Sequence, residues 1–255
     1  MELAIQQFLL FILIFIRATS LFISAPMYSH NSIPMQAKIG MGLFLAFVMM
    51  TVAKPPEGII TMNLAGLVIL GLKEVLTGAS IGFAMQVIFS GVRFAGELIS
   101  FDMGFSMSTI FDPENGTSFP VISEILYLFL LMIFLMVNGH HFVFEAVYYS
   151  YAAVPIGEWN ITEATMTSVA SLTGKMFAVA IKLSAPLLVS LFLANITLGI
   201  LNKVMPQMNI FSVMFSLKIG IGFIVLIATI PVIAFVFKKL LTSFQSNIVE
   251  LIKVM

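Results

Sequence analysis

The sequence predicts an all-α, membrane-associated protein built as a bundle of broken helical hairpins. Of its 255 residues, 60% are hydrophobic and 9% are charged, whereas soluble globular domains are about 45–50% apolar and about 25% charged. The apolar runs exceed the length of a β-strand and show no sustained alternation of apolar and polar residues, which favours helices. Such a small polar surface excludes a soluble enzyme, because much of the exterior must face lipid or other protein.

The apolar runs between charged residues differ in how well they fit a membrane. About 20 apolar residues are needed to cross about 30 Å of hydrocarbon. Two runs come close to that length, 183–202 and 219–237, and they contain Pro186 and Pro231 respectively. The other runs are shorter: 8–16, 39–53, 59–72, 75–92 and 125–137. We therefore predict interrupted helices that pack on one another.

Charge is distributed unevenly along the chain. Residues 1–93 have a net charge of +2, residues 94–174 have −8 without any Lys or Arg, and residues 175–255 have +6. Because short cytoplasmic loops collect cations, we expect the middle segment to face away from the cytoplasm. The overall net charge of zero leaves no basic surface for nucleic acid. Glu2 before the first apolar run is the reverse of a secretory signal peptide, so we expect this segment to be retained.

Several charged residues lie next to or between apolar stretches: Arg17, Lys73, Glu74, Lys182 and Lys218. A charge within a membrane is costly and usually faces a protein interior or a water-filled path. A long side chain near a helix end can instead extend to the membrane interface. Both interpretations stay open for Arg17, Lys73 and Glu74. Extension to the interface is preferred for four lysines at the ends of apolar runs: Lys54, Lys203, Lys238 and Lys239.

The segment 97–124 is the longest stretch that is neither continuously apolar nor helical in its periodicity. Asp112-Pro113 and Asn115-Gly116 are turn dipeptides. Apolar side chains nevertheless lie among these turns: Phe105, Met107, Ile110, Phe111 and Phe119. Apolar side chains on a loop need a surface to pack against. We therefore predict either an interfacial loop that contacts its own helices or a plug that fills the mouth of a pore.

No catalytic, metal or cofactor site is predicted, so the sequence does not indicate an enzyme. The chain has no Cys, which excludes disulfides, thiolate nucleophiles and Cys-ligated metals. The run GFSM at 104–107 resembles the start of an intramembrane serine protease motif but lacks its next glycine and a base. His141 and Glu145 are four residues apart, yet no third metal ligand is evident. A channel, a transporter or an assembled gate remains.

With these residues in view, the chain resembles the FliR family, the export-gate subunit of the flagellar type III secretion apparatus, which is related to a counterpart in virulence injectisomes. The resemblance spans nearly the whole chain and rests on the order and spacing of short motifs. They are Arg17, Ala25-Pro26, Pro34-x-x-x-Lys38, Ala95-Gly96-Glu97, Gly104-Phe105, Asp112-Pro113, Asn138-Gly139-His140-His141, Ala185-Pro186, Leu198-Gly199 and MPQMNIF at 205–211.

The resemblance implies that one copy of this chain joins several copies of FliP and FliQ in a helical hetero-oligomeric export gate, with FlhB around its base. Residues 1–160 would be FliP-like and residues 161–255 a FliQ-like helical hairpin. The loop at about 104–120 would be the plug, with Asp112, Pro113, Asn115 and Gly116 at its turns, and the five charges above would be buried on assembly.

The implied location is the bacterial inner membrane at the flagellar basal body. The implied cargo is unfolded flagellar subunits. Besides these partners the chain would contact membrane lipid, and neither a cofactor nor nucleic acid is expected.

A secondary transporter or channel with a charged site at the membrane midplane is the alternative. In that case Lys73-Glu74 would relay an ion between broken helices. The two functions differ in oligomeric state. A transporter predicts a functional monomer or dimer, whereas a gate subunit predicts no stable existence alone.

Overall fold

The computed structural model describes residues 2–26, 34–53, 55–56, 59, 63–105, 121–160, 162–205 and 210–254. Every regular element in those ranges is an α-helix. The helices are α1 (Glu2–Ser24), α2 (Met35–Met49), α3 (Leu64–Met103), α4 (Val121–Met136), α5 (Gly139–Ala153), α6 (Glu163–Val204) and α7 (Ile210–Val254). The predicted all-α class is therefore confirmed.

Four of the described helices are long and apolar enough to cross a membrane, namely α1, α3, α6 and α7. Helices α4 and α5 form a fifth candidate, because together they are long enough but bend by 71° at a short break. The bend occurs at Asn138, whose φ of 58° is left-handed, a conformation that Asn tolerates better than most residues. This bent pair matches the predicted interruption of helices.

The prolines in the two longest apolar runs do not break their helices. Helix α6 continues through Pro186 and α7 continues through Pro231. Transmembrane helices tolerate proline where neighbouring hydroxyl groups bond to the helix carbonyls. The Ser184 and Ser190 hydroxyls on either side of Pro186 donate to the Ala180 and Pro186 carbonyls at 2.9 and 2.8 Å, so both hydroxyls are satisfied within α6, although neither bonds to the carbonyl of residue 182 that the proline leaves free.

The described chain divides into two compact units. The first comprises residues 1–87, 135–173 and 241–255. In it α1 and α3 run parallel at close range, because a Cβ added at Gly78 would meet Ser20 and the Arg17 carbonyl, and one added at Gly82 would meet Ser24. These small residues let the two backbones approach, as in other membrane helix pairs.

Helix α5 runs antiparallel to α1 in the same unit. The Tyr151 hydroxyl near the end of α5 donates to the Ile14 carbonyl at 3.1 Å. Phe144 near the start of α5 meets Phe22 edge to face, with ring centroids 6.0 Å apart. The ends of α5 are thereby fixed against α1.

The second unit comprises residues 88–134 and 174–240. Gly96 of α3 packs directly against the backbone of Ser123 in α4. Phe89 contacts Tyr127 and Phe134 of α4 edge to face at 5.8 and 5.6 Å between ring centroids. The predicted division into parts 1–160 and 161–255 rests on sequence resemblance, and it stays a prediction.

Candidate functional site

Arg17 and Glu74 form a fully buried ion pair between α1 and α3. The Nε of Arg17 donates to Oε2 of Glu74, and Nη2 donates to Oε1 at 3.0 Å. The two side chains are 1% and 0% exposed. A guanidinium presents parallel donors that match a carboxylate in this fork geometry, which makes such pairs strong and directional. The predicted charges therefore face the protein interior at these two positions.

The remaining donors of Arg17 are used at the carboxyl end of α5. Its Nη1 donates to the carbonyls of Ser150 at 3.1 Å and Val154 at 2.9 Å. The carboxyl end of a helix carries partial negative charge, so a cation is well placed there. The guanidinium carbon also lies 4.3 Å from the centroid of the Tyr151 ring. One side chain thus joins three helices.

The segment that follows α5 completes the pair's surroundings. The amide of Gly157 donates to Oε1 of Glu74 at 2.9 Å, so the carboxylate accepts three hydrogen bonds. Lys73, which is partly exposed, donates to the Gly157 carbonyl at 3.0 Å and contacts Asn160 Oδ1 at 3.4 Å. We call Arg17, Lys73, Glu74, Tyr151 and Gly157 the buried charge centre. In this centre the adjacent residues Lys73 and Glu74 both bind the backbone of Gly157, in the loop that follows α5.

The other predicted charges have different surroundings. Lys218 of α7 donates to the Asp102 carbonyl at 3.2 Å and lies 4.0 Å from the Asp102 carboxylate. Lys182 lies in α6 and is exposed in this single chain. Burial of Lys182 in an assembly stays a prediction.

Most of the predicted plug loop lies outside the described residues. This applies to Met107, Ile110, Phe111, Asp112, Pro113, Asn115, Gly116 and Phe119. Phe105 is described, and its amide donates to the Ser100 carbonyl at 3.0 Å in the turn that ends α3. The role of the loop stays a prediction.

The end of α3 and the first residue of the predicted plug loop pack on α7 within the second unit. Gly104 has a φ of +93°, and a Cβ added there would lie 3.2 Å from the Phe215 ring. One added at Gly222 would meet the side chain of Met103, with the Sδ atom 2.7 Å away. Together with the Asp102 to Lys218 contacts, these form an anchor for the start of the predicted plug.

Sequence reasoning missed several residues of these sites. Nothing in the run VPIGEWN at 154–160 indicates that its backbone binds Glu74 and Lys73. Tyr151 likewise looks like any aromatic residue of an apolar helix. Gly220 and Gly222 next to an apolar run indicate a position where helices can pack closely. The sequence does not show that Gly222 packs against Met103.

The geometry gives no support to the two chemical alternatives raised by the sequence. Glu74 is 0% exposed and accepts three hydrogen bonds, whereas an ion relay needs a carboxylate that exchanges its partners. The rings of His140 and His141 lie 4.2 Å apart. Among the described residues, however, no group of three side chains is placed to hold a metal.

Comparison with known proteins decides the family. A family model described as bacterial export proteins, family 1, matches residues 8–244. The flagellar biosynthetic protein FliR of Bacillus subtilis (strain 168) is 34% identical over 233 residues, which are 90% of this chain and 89% of the relative. The chain belongs to the FliR family. The resemblance seen in the sequence is confirmed.

Other FliR proteins match this chain over a similar length. That of Escherichia coli (strain K12) is 30% identical over 219 residues, covering 86% of this chain and 83% of the relative. That of Aquifex aeolicus (strain VF5) is 26% identical over 230 residues, covering 89% and 88%. This FliR-family chain is therefore a flagellar biosynthetic export protein with membrane-spanning helices. The names of these relatives describe flagellar biosynthesis and name no enzymatic activity.

Proposed function

We propose that this chain is one subunit of the flagellar type III export gate. It assembles with FliP and FliQ homologues, with an FlhB homologue at the base, into a gated channel in the bacterial inner membrane at the basal body. Unfolded flagellar subunits are its cargo. Membership of the FliR family over nearly the whole chain is the observation that carries this proposal.

The apolar exterior supports assembly with other proteins. In the best apolar windows of α6 and α7, only 28% and 17% of residues are buried within the chain. Lipid can cover part of this surface. Helices α3, α6 and α7 are 40, 42 and 45 residues long, about twice the length that crosses the hydrocarbon, so protein neighbours would cover the exposed apolar side chains that lie beyond the lipid.

The internal charges support a rigid scaffold in the first unit. The buried charge centre pairs its donors and acceptors within the chain. A conduit must hold its helices in place while cargo passes, and a buried, doubly bonded ion pair resists sliding of α1 along α3. Gating then depends on the loop at 104–120, whose turns and apolar side chains suit a displaceable plug.

Deletion of this gene from its host tests the proposal. We expect cells that accumulate flagellar subunits internally, release almost none into the medium and do not swim. Restoring the wild-type chain should recover all three. Normal export of flagellar subunits in the deleted strain would contradict the proposal.

A further inference from the structure

An open apolar groove lies between α2 and α5 in the first unit. Its volume is about 410 Å³, and it is lined by Ala37, Gly40, Met41, Phe44, Leu45 and Phe144. Small-molecule sites in proteins have volumes of about 300–1,000 Å³ and are mostly apolar. The lining residues of α2 extend over positions 37–45, which is about 12 Å along a helix that rises 1.5 Å per residue. We call this feature the α2 groove.

Lys38, the fourth residue of α2, lies beside the first lining residue of this groove. It is only 9% exposed, and it forms no hydrogen bond or ion pair within the part of the chain that the structure describes. Glu145, which follows the lining residue Phe144 in α5, is exposed and does not pair with it. A lysine in apolar surroundings is costly unless an opposite charge or a polar region receives its ammonium. Lys38 is therefore available to bind an anionic group.

The start of α2 also favours an anion. Its N-cap residue, Pro34, makes no side-chain hydrogen bond to the helix, and the first turn contains no acidic residue. The first amides of a helix lack intrahelical acceptors and attract phosphate groups. The Cα–Cβ bonds of a helix tilt toward its amino terminus, so the side chain of Lys38 leaves the backbone toward this same end. The cation and the helix amides are thus placed at one end of the α2 groove.

The order of these features along α2 matches the order of groups in an anionic phospholipid. A cation and helix amides come first, as for a phosphate, and apolar side chains follow over two further turns, as for an acyl chain. Basic residues beside membrane helices bind lipid headgroups in this way. Helix α2 has 15 residues, which is too short to cross the hydrocarbon, so its start can lie at the level of the headgroups.

Other occupants use only part of the site. One turn of a partner helix, 5.4 Å long and 10–12 Å across, fills roughly 400–600 Å³, so it takes up the whole groove and leaves no place for its own neighbouring turns. Free phosphate can bind the cation but leaves the apolar groove empty. A phospholipid satisfies both the charge and the apolar surface.

We propose that the α2 groove binds an acyl chain of an anionic phospholipid, whose phosphate is held by Lys38 and the start of α2. This site goes beyond the proposed function, because it depends only on the chain being a membrane protein with apolar helices.

Photolabelling of the assembled protein tests the site. The tagged chain is expressed with the neighbouring gate genes, extracted in mild detergent and incubated with phosphatidylglycerol that carries a diazirine in its acyl chain. After irradiation, mass spectrometry measures the labelled fraction of the peptides that contain Met41 and Phe144. We expect both peptides to be labelled. Excess unlabelled phosphatidylglycerol should lower the labelling at least fivefold, whereas phosphatidylcholine or inorganic phosphate at the same concentration should change it less than twofold.

Two kinds of variant separate the charge from the groove. Lys38→Gln removes the cation and should lower the labelling at least fivefold, whereas Lys38→Arg should stay within twofold of the wild type. Gly40→Leu keeps the cation and fills the groove, so it should also lower the labelling at least fivefold. Nothing lies within 4 Å of a Cβ added at Gly40, so the fold accommodates this change. Gly174→Leu, at an equally open glycine of α6, is the matched control and should stay within twofold.

The outcomes separate the lipid site from the proposed function. If the wild-type chain purifies without gate proteins but is labelled at Met41 and Phe144, only the proposed function fails. If the complex forms and these peptides stay unlabelled, the lipid site is overturned and a neighbouring subunit covers the groove. Equal labelling of Lys38→Gln and the wild type would also overturn it. Equal competition by phosphatidylcholine or by inorganic phosphate would overturn it too, because the site would then recognise only an acyl chain or only a free anion.

Discussion

Arg17 and Glu74 lie 57 positions apart and form a doubly hydrogen-bonded ion pair with side chains that are 1% and 0% exposed. The pair also binds the end of α5 through the Ser150 and Val154 carbonyls and the Gly157 amide. It thus unites three helices and a loop that are far apart in the sequence. In the first unit this contact fixes the scaffold on which the proposed channel depends.

Removing one member of this pair should destabilise the first unit strongly. Arg17→Met leaves the Glu74 carboxylate buried without its partner, which costs about 3–5 kcal/mol. We expect low yield and a much lower thermal midpoint in detergent. Arg17→Lys should be nearly as damaging, because an ammonium lacks the planar fork and cannot reach both the carboxylate and the α5 carbonyls.

The double variant Arg17→Met with Glu74→Leu is the control for this effect. Replacing both charges with apolar residues removes the uncompensated carboxylate, so stability should recover relative to Arg17→Met alone. A double variant that is less stable than Arg17→Met would mean that the pair does not act as a unit.

Gly78 should not accept even a methyl group. Its added Cβ would meet the backbone carbonyl of Arg17 as well as Ser20, and backbone atoms cannot move aside cheaply. We expect Gly78→Ala to lower the free energy of unfolding by about 1–3 kcal/mol. Gly40→Ala in helix α2 is the matched control, since nothing lies within 4 Å of its Cβ. It should be neutral or stabilising by about 0.5–1 kcal/mol. Equal effects in chemical denaturation would refute the close packing of α1 on α3.

The contact between Gly96 and Ser123 makes a parallel prediction for the second unit. A Cβ at Gly96 would lie 2.7 Å from the Ser123 amide nitrogen, so Gly96→Ala must separate α3 from α4. A loss of about 1–3 kcal/mol is expected. Gly220→Ala, which has open space around it, should show no such loss. The thermal midpoints of the two variants in the same detergent make the comparison.

Apolar side chains of the loop at 104–120 should seal the gate against ions. When the chain is expressed with its gate partners, Ile110→Ser with Phe111→Ser should raise the ion permeability of the inner membrane, and deletion of residues 110–116 should raise it further. Glu114→Gln keeps the apolar side chains and serves as the control. Influx measured with an ion-sensitive dye distinguishes them. If deletion of residues 110–116 caused no ion leakage, the prediction that this loop is a plug would be wrong.

Composition and apolar run length were sufficient to predict the helical class, since the apolar runs exceed the length of a β-strand and show no alternation of apolar and polar residues. The apolar run 125–137 ends where the chain bends at Asn138, but the bend itself was not predicted. Pairing of Arg17 with Glu74 was not predictable, because it depends on the parallel approach of α1 and α3, which no local pattern encodes. The contact between Ser20 and Gly78 was unpredictable for the same reason. A small residue indicates close helix packing only when the residue opposite it is known. Continuous helices through Pro186 and Pro231 show tertiary context overriding a local breaker.

Native mass spectrometry of the tagged chain, expressed with and without the neighbouring export-gate genes and extracted in mild detergent, tests the central claim most directly. The account predicts one copy of this chain within a larger complex that contains several copies of the FliP and FliQ homologues, and little intact protein without them. A stable monomer or homodimer that persists when the gate genes are expressed would contradict it.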